Sequence, residues 1–178
     1  MEKQLIIAGF GGQGVLLMGQ LLAYAGMLEG KQVSWMPAYG PEMRGGEANC
    51  AVVVSDEPIG SPLVSEPPVL VAMNKPSLMK FMPMMPAGGT LLYNASLIEG
   101  VELRTDVTVI PVACNEVAEQ LGNGRVSNMV MLGAYIEAMK NLGTETIKEM
   151  LVHMFTGPKA KLVDLNIEAL RRGAACVR

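Results

Sequence analysis

The sequence has few of the side chains on which self-contained catalytic and metal sites depend. Its 178 residues include three cysteines and one histidine, and aromatic residues make up 4%. Cys50, Cys114 and Cys176 lie far apart without a Cys-x-x-Cys spacing, which argues against a disulfide framework and a local metal cluster. His153 is the single histidine and lies on a predicted helix, where we expect it to pack and not to catalyse. We predict no catalytic residue and no metal site in this chain.

Charge is also scarce, at 17% of residues with a net charge of −3. The basic residues are scattered, so the sequence does not favour nucleic-acid binding. No run is long enough to span a bilayer, and the first residues lack the pattern of a signal peptide, so we expect a cytoplasmic protein. Hydrophobic residues make up 50%, including 15 methionines. This composition predicts some apolar surface that meets a partner protein.

Apolar runs separated by turn residues predict an alternation of strands and helices. Strands are predicted at 3–8, 32–36, 49–54, 69–73, 90–93 and 107–112, and helices at 15–29, 76–84, 115–121, 128–142, 144–155 and 162–172. We expect the first strand, helix and second strand to form a Rossmann-like βαβ unit with a parallel strand pair. No composition shift marks a linker. The sequence therefore predicts a single three-layer α/β/α domain over residues 1–178, with a mostly parallel sheet.

Three hydroxyl side chains stand near the starts of predicted helices. Ser77, Ser127 and Thr144 are of the residue types that accept hydrogen bonds from free N–H groups at helix N-termini. We predict that each caps its helix.

A glycine-rich loop lies between the first strand and the first helix. Residues 9–14 read GFGGQG, and this G-x-G-x-x-G spacing allows backbone N–H groups to approach a phosphate. The second strand ends in Ser34-Trp35-Met36-Pro37 without an acid for a ribose, and no Lys-Ser/Thr pair follows Gly14, so NAD and a P-loop are poorly supported. The alternative is that the glycines only permit a tight turn and close packing.

A second loop follows the predicted second strand and reads YGPEMRGGE over residues 39–47. The planar guanidinium of Arg44 suits a carboxylate or phosphate, or it pairs with Glu42 or Glu47 and merely orders the loop. Ligands usually lie at the carboxyl edge of a parallel sheet. We expect the two loops to line one crevice there.

The combination of GFGGQG with AYGPEMRGGEANC resembles the gamma subunit of 2-oxoacid:ferredoxin oxidoreductases, the pyruvate/ketoacid ferredoxin oxidoreductase family. The likeness continues through Met73-Asn74-Lys75-Pro76-Ser77 and through SNMVMLG at residues 127–133. It covers essentially the whole chain.

The resemblance implies a subunit of a complex that oxidatively decarboxylates a 2-oxoacid to an acyl-CoA and passes electrons to ferredoxin. Thiamine diphosphate and iron–sulfur clusters would belong to the alpha and beta subunits and to a ferredoxin-like delta subunit. This chain would contribute subunit packing and access for coenzyme A. We expect the coenzyme A phosphates or the alpha subunit to contact the residues Gly9, Gly11, Gly12, Gln13, Gly14, Arg44, Gly45 and Gly46.

Two other functions remain open at this point. In the first, the chain is a stand-alone α/β protein that binds a nucleotide or coenzyme A. In the second, it is a purely structural interaction module. Pyruvate, 2-oxoglutarate, branched-chain and aryl 2-oxoacids all remain open as substrates of the complex. The resemblance favours 2-oxoglutarate or a general 2-oxoacid.

Overall fold

A computed structural model describes residues 1–40 and 45–177 as a six-stranded sheet flanked by helices. The strands are β1 (Glu2–Phe10), β2 (Gln32–Tyr39), β3 (Glu47–Ser55), β4 (Val69–Ala72), β5 (Thr90–Asn94) and β6 (Thr108–Val112). The helices are α1 (Val15–Leu28), α2 (Lys75–Phe81), α3 (Cys114–Gln120), α4 (Ser127–Met139), α5 (Thr144–Met154) and α6 (Val163–Ala175). Short 3₁₀ helices lie at Met82–Met84, Gly124–Val126 and Gly157–Leu162. Within the described residues, no helix is both long and apolar enough to cross a membrane.

The strand order is β2-β3-β1-β4-β5-β6. β1, β4, β5 and β6 pair in parallel, whereas β3 runs antiparallel to both of its neighbours. The predicted α/β class and mostly parallel sheet are therefore confirmed. The predicted direct pairing of the first two strands is wrong. β1 and β2 run in the same direction, but β3 lies between them because β2 and β3 form a hairpin.

The sheet carries a hydrophobic core on each face. Leu5 and Ile7 of β1 face helices α1, α3, α4, α5 and α6, and we call this the first face. Ile6 and Ala8 of the same strand face α2 and the chain around it, the second face. The alternation of side chains along β1 supplies both cores because a central strand is buried on both sides.

Each edge strand of the sheet contains a proline. Pro37 lies in β2 opposite Cys50, and Pro111 lies in β6 beside Tyr93. Proline has no backbone N–H and is tolerated in sheets at edge positions, where no further strand needs that donor.

The three predicted hydroxyl caps are wrong. α2 is capped by Asn74, whose Oδ1 accepts a hydrogen bond from the backbone N–H of Ser77 at 2.9 Å. Ser127 and Thr144 are themselves the first residues of α4 and α5, one position beyond the capping site. A cap must precede the first helical turn, and residue type alone does not fix that position.

Candidate functional site

The glycine loop after β1 is held by the side chain of Gln13. Its Oε1 accepts a hydrogen bond from Phe10 N at 2.7 Å, and its Nε2 donates to the carbonyl of Met73 at 3.2 Å. Gln13 N also donates to the carbonyl of Phe10 at 3.1 Å. The side chain thus ties the end of β1 to the residue that follows β4. Gln13, which the sequence predicts as a ligand residue, uses its side chain to position the loop.

Glycine is needed at different positions of this loop for different structural reasons. Gly12 and Gly14 have φ angles of 103° and 75°, the left-handed region that glycine adopts without strain. A Cβ on Gly14 would overlap the side chain of Asn128 at the start of α4, whereas a Cβ on Gly12 would meet open space. Asn128 Nδ2 donates to the Gly14 carbonyl at 3.4 Å. Gly14 therefore allows α4 to pack against the loop, while Gly12 serves the turn itself.

The two predicted loops lie side by side at the carboxyl end of β1. Gly11 N donates to the carbonyl of Gly46 at 2.8 Å, and Gly45 N donates to the carbonyl of Gly11 at 3.4 Å. These bonds continue the β1–β3 pairing, in which Phe10 lies opposite Glu47. The expectation that both loops share one region is thus met by direct hydrogen bonds between them.

Arg44 lies outside the described residues, as do Pro41, Glu42 and Met43, so its predicted contact with a phosphate and its alternative pairing with Glu42 are not placed. Glu47, the other alternative partner, forms an ion pair with Lys80 of α2.

A groove of about 390 Å³ runs along the glycine loop. Its apolar walls come from the loop, the start of α1 and the β2–β3 hairpin, and its lining residues are Phe10, Gly11, Gly12, Gly14, Val15, Leu16, Leu17, Tyr39 and Ala48. Tyr39 is 61% exposed and Phe10 38%. Among the described residues, the backbone N–H groups of Gly12 and Gly14 have no hydrogen-bond acceptor. The groove therefore combines free donors with apolar surface.

A second cavity, of about 230 Å³, shares Phe10 with this groove. It is lined by Gly9, Phe10, Gly45, Glu47, Asn74, Pro76, Ser77 and Lys80. The sequence did not predict a binding role for Asn74, Ser77 or Lys80. A usable signal was present, because Asn74 follows a buried strand near the carboxyl edge of the sheet, where ligands usually bind.

Two of the three cysteines, Cys50 and Cys114, are buried in the core, whereas Cys176 is exposed. Burial raises the pKa of the Cys50 and Cys114 thiols to about 12, which disfavours the reactive thiolate. In the part of the chain that the structure describes, no three His, Cys, Asp or Glu side chains are grouped closely enough to hold a metal ion. The described residues do not fit an iron–sulfur cluster, which needs several cysteine ligands.

Comparison with known proteins gives a family match over residues 4–176, to the family described as pyruvate ferredoxin/flavodoxin oxidoreductase. Ketoisovalerate oxidoreductase subunit VorA of Methanothermobacter marburgensis is 42% identical over 178 residues, which cover 99% of this chain. The chain spans only 37% of the length of that relative. 2-Oxoglutarate synthase subunit KorC of the same organism is 38% identical over 158 residues, 85% of each chain.

Two solved structures share the fold closely. The keto/oxoacid ferredoxin oxidoreductase gamma subunit of Geobacter sulfurreducens matches with a TM-score of 0.83 and 26% identity, over 98% of both chains. The 2-oxoglutarate:ferredoxin oxidoreductase of Magnetococcus marinus, with 2-oxoglutarate, coenzyme A and succinyl-CoA bound, matches with a TM-score of 0.92 and 26% identity. That match covers 99% of this chain and 31% of the Magnetococcus chain.

Proposed function

Because the chain belongs to the pyruvate ferredoxin/flavodoxin oxidoreductase family, we propose that it is the gamma subunit of a 2-oxoacid:ferredoxin oxidoreductase. The observation that carries this proposal is the match to the Geobacter gamma subunit, which extends over 98% of both chains. A relative of equal length is a better guide to a subunit's role than a relative in which the same region is about a third of a longer chain.

The complex would oxidise a 2-oxoacid with loss of carbon dioxide, form an acyl-CoA and reduce ferredoxin. Thiamine diphosphate and iron–sulfur clusters supply this chemistry and would be held by alpha, beta and delta partner subunits. The lack of a suitable ligand set among the described residues supports placing the clusters in those partners. This chain would contribute packing surface and a path for coenzyme A.

The glycine loop and its neighbour are the proposed contact for the coenzyme A phosphates. The free N–H groups of Gly12 and Gly14 precede the long helix α1, and such a helix start favours an anion. Arg44, three residues before Glu47 in the adjoining loop, would add the positive charge that the groove's described residues lack. The coenzyme A bound to the Magnetococcus enzyme supports a coenzyme A role for this fold.

A specific observation also supports docking of a partner protein at the same loops. Phe10 and Tyr39 are large, partly exposed and line a mainly apolar groove, as expected for an interface core. In a purely structural module, loop substitutions would change assembly and leave the kinetics of the assembled complex unaltered.

A self-sufficient dinucleotide enzyme is a weaker alternative. In a Rossmann fold, the acidic residue that binds the ribose lies at the end of a parallel strand that neighbours β1. Here the neighbour is the antiparallel β3, whose Glu47 is paired with Lys80. A thermal-shift screen of the isolated chain with NAD, FAD, ATP and coenzyme A would reveal such an enzyme, because a saturating ligand raises the melting temperature.

Branched-chain 2-oxoacids are the first substrates to test. Two relatives named for ketoisovalerate are 42% and 44% identical, whereas one named for 2-oxoglutarate is 38% identical. We propose ketoisovalerate first and 2-oxoglutarate second, the latter being the class that the sequence resemblance favoured.

The test is affinity purification of the chain from its native extract under anaerobic conditions. We expect large subunits identified by mass spectrometry, together with thiamine diphosphate and iron, and coenzyme A-dependent ferredoxin reduction with one of a panel of 2-oxoacids. Recovery of the chain alone, with neither cofactor nor activity, would reject the subunit role and favour the stand-alone alternative.

A further inference from the structure

Helix α1 presents an uncharged face to solvent. Its 14 residues include no Asp, Glu, Lys or Arg, although the exposed side of a surface helix usually carries charged residues. Tyr24, Met27 and Leu28 are 47%, 58% and 53% exposed. The half-buried residues beside them are Leu16, Leu17 and Gln20. Large exposed apolar residues that lie together on one surface mark a site of protein association.

These six residues form one continuous strip, which we call the α1 face. At 3.6 residues per turn they fall within about 120° of the helix circumference. Leu16 and Leu17 stand near the amino end of the helix, and Met27 and Leu28 stand at its carboxyl end. The two residues between them are Gln20 and Tyr24. The α1 face therefore has an apolar pair at each end and two hydrogen-bonding side chains in the middle.

This arrangement makes the α1 face its own complement. In an antiparallel pair of α1 helices with a two-fold axis near Leu22, the Leu16–Leu17 end of one copy meets the Met27–Leu28 end of the other. Gln20 then lies level with Tyr24 of the second copy, and the Tyr24 hydroxyl can donate to the Gln20 side-chain carbonyl. A two-fold interface requires this reciprocity, in which residue i meets j and j meets i. The helix brings no charged side chain of its own to this contact.

We propose that the α1 face joins two copies of this chain in an antiparallel, two-fold symmetric dimer. The inference goes beyond the proposed function and does not depend on it. A 14-residue helix is about 21 Å long, so the contact lies at the small end of specific interfaces. We therefore expect a reversible dimer with a Kd on the order of micromolar.

The first test is sedimentation equilibrium of the isolated full-length chain at concentrations from about 5 to 500 µM. Tyr24→Glu would place a carboxylate in the apolar contact, so we expect it to raise the Kd of the dimer at least about tenfold. Leu63→Glu is the control, because Leu63 is another large apolar residue, 68% exposed, in the loop between β3 and β4. It should leave the Kd unchanged. A chain that is monomeric throughout, or equal weakening by both variants, would overturn the proposal.

Cysteine cross-linking tests the antiparallel register. The variants are made with Cys176→Ala, because Cys176 is exposed. Leu17→Cys combined with Leu28→Cys should give covalent dimers under oxidised glutathione, whereas each substitution alone should not. Within one copy the two positions are about 16 Å apart, too far for a disulfide. Absence of covalent dimers in the double variant, or equal yields in the single variants, would reject this register.

A partner subunit is the other candidate occupant of the α1 face. If the chain is monomeric and Tyr24→Glu, unlike Leu63→Glu, prevents large subunits from co-purifying, the face belongs to that partner and self-association is rejected. A confirmed dimer with no co-purifying subunits would instead reject the proposed function and leave this inference standing.

Discussion

Arg44 is the side chain expected to carry positive charge at the glycine loop. We expect Arg44→Ala in the assembled complex to raise the KM for coenzyme A about tenfold or more, as for a lost charge-assisted hydrogen bond. Lys159→Ala, which removes an exposed charge from the 3₁₀ helix at Gly157–Leu162, is the control. Steady-state kinetics with coenzyme A varied measure the effect. Unchanged kinetics with weaker assembly would mean that Arg44 serves docking.

Gly14 and Gly12 form a matched pair for testing the loop. Gly14→Ala places a methyl group against Asn128 and strains a φ of 75°, so we expect the free energy of unfolding to fall by about 2–4 kcal/mol. Gly12→Ala meets open space and should cost only the backbone strain, about 1–2 kcal/mol. Urea denaturation of both variants would measure the difference. Equal losses would contradict the packing role of Gly14.

The buried thiols of Cys50 and Cys114 predict a loss of stability at alkaline pH. Their pKa values are raised by burial from 9.0 to about 12, so between these values the unfolded chain releases protons that the folded chain keeps. The contribution of these thiols to the free energy of unfolding should therefore be level below about pH 9 and fall as the pH rises further.

Urea unfolding at several pH values measures this slope, and Cys114→Ala should make it shallower. A residual slope will remain above about pH 9 because Cys50 is still buried, and above about pH 10 burial of Tyr135, which raises its pKa from 10.0 to about 12, adds to it. An identical slope in the variant would show that Cys114 does not contribute.

Residue types in the sequence predicted part of this site. The glycine spacing indicated a turn at residues 9–14, and the turn is present. The sequence could not show that the Gln13 side-chain amide donates a hydrogen bond to the Met73 carbonyl, since that contact joins residues 60 positions apart. Asn74 and Ser77 were missed for the same reason, because a cavity forms only when two distant loops meet.

At the scale of whole elements, α4 and α6 cross with their backbones in close contact. A Cβ on Gly133 would overlap the backbone carbonyl of Leu170, and a Cβ on Gly173 would overlap that of Val130. Backbone cannot move aside as a flexible side chain can. The two glycines therefore set the distance between these helices from both sides.

We expect Gly133→Ala and Gly173→Ala each to lower the free energy of unfolding by about 3 kcal/mol or more. The double variant should lose less than the sum, since helices already separated by one methyl group have room for the second. Gly60→Ala, in open space with an ordinary φ, is the control. Chemical denaturation of the four proteins measures the coupling, and strict additivity would contradict it.

The elements themselves were largely predictable, and their arrangement was less so. Apolar runs marked β1, β3, β4 and β5 because buried strands need them, and shorter apolar stretches between turn residues marked the more exposed β2 and β6. The place of β3 between β1 and β2 was not visible, since an apolar run does not reveal the direction of its neighbours. The second loop, predicted over residues 39–47, is shorter in the structure, because β2 continues to Tyr39 and β3 begins at Glu47.

At the scale of the whole molecule, the burial of each strand predicts how strongly its backbone amides are protected from hydrogen exchange. β1 and β4 have strands on both sides and buried residues on both faces, whereas β2 is an edge strand with mostly exposed residues. We expect amide hydrogen exchange to be slowest in β1 and β4 and much faster in β2. Exchange followed by mass spectrometry would test this order, and equal protection of β2 and β4 would contradict it.

The prolines of β2 and β6 have a consequence for assembly. An exposed strand edge is a template on which another chain can add a strand, and this is also how intermolecular aggregation starts. Pro37 and Pro111 each remove a donor from one outer edge of this sheet, so strand addition is disfavoured at both. A sheet with such edges is protected against β-aggregation, and the partner subunits proposed above would join it through its faces and loops.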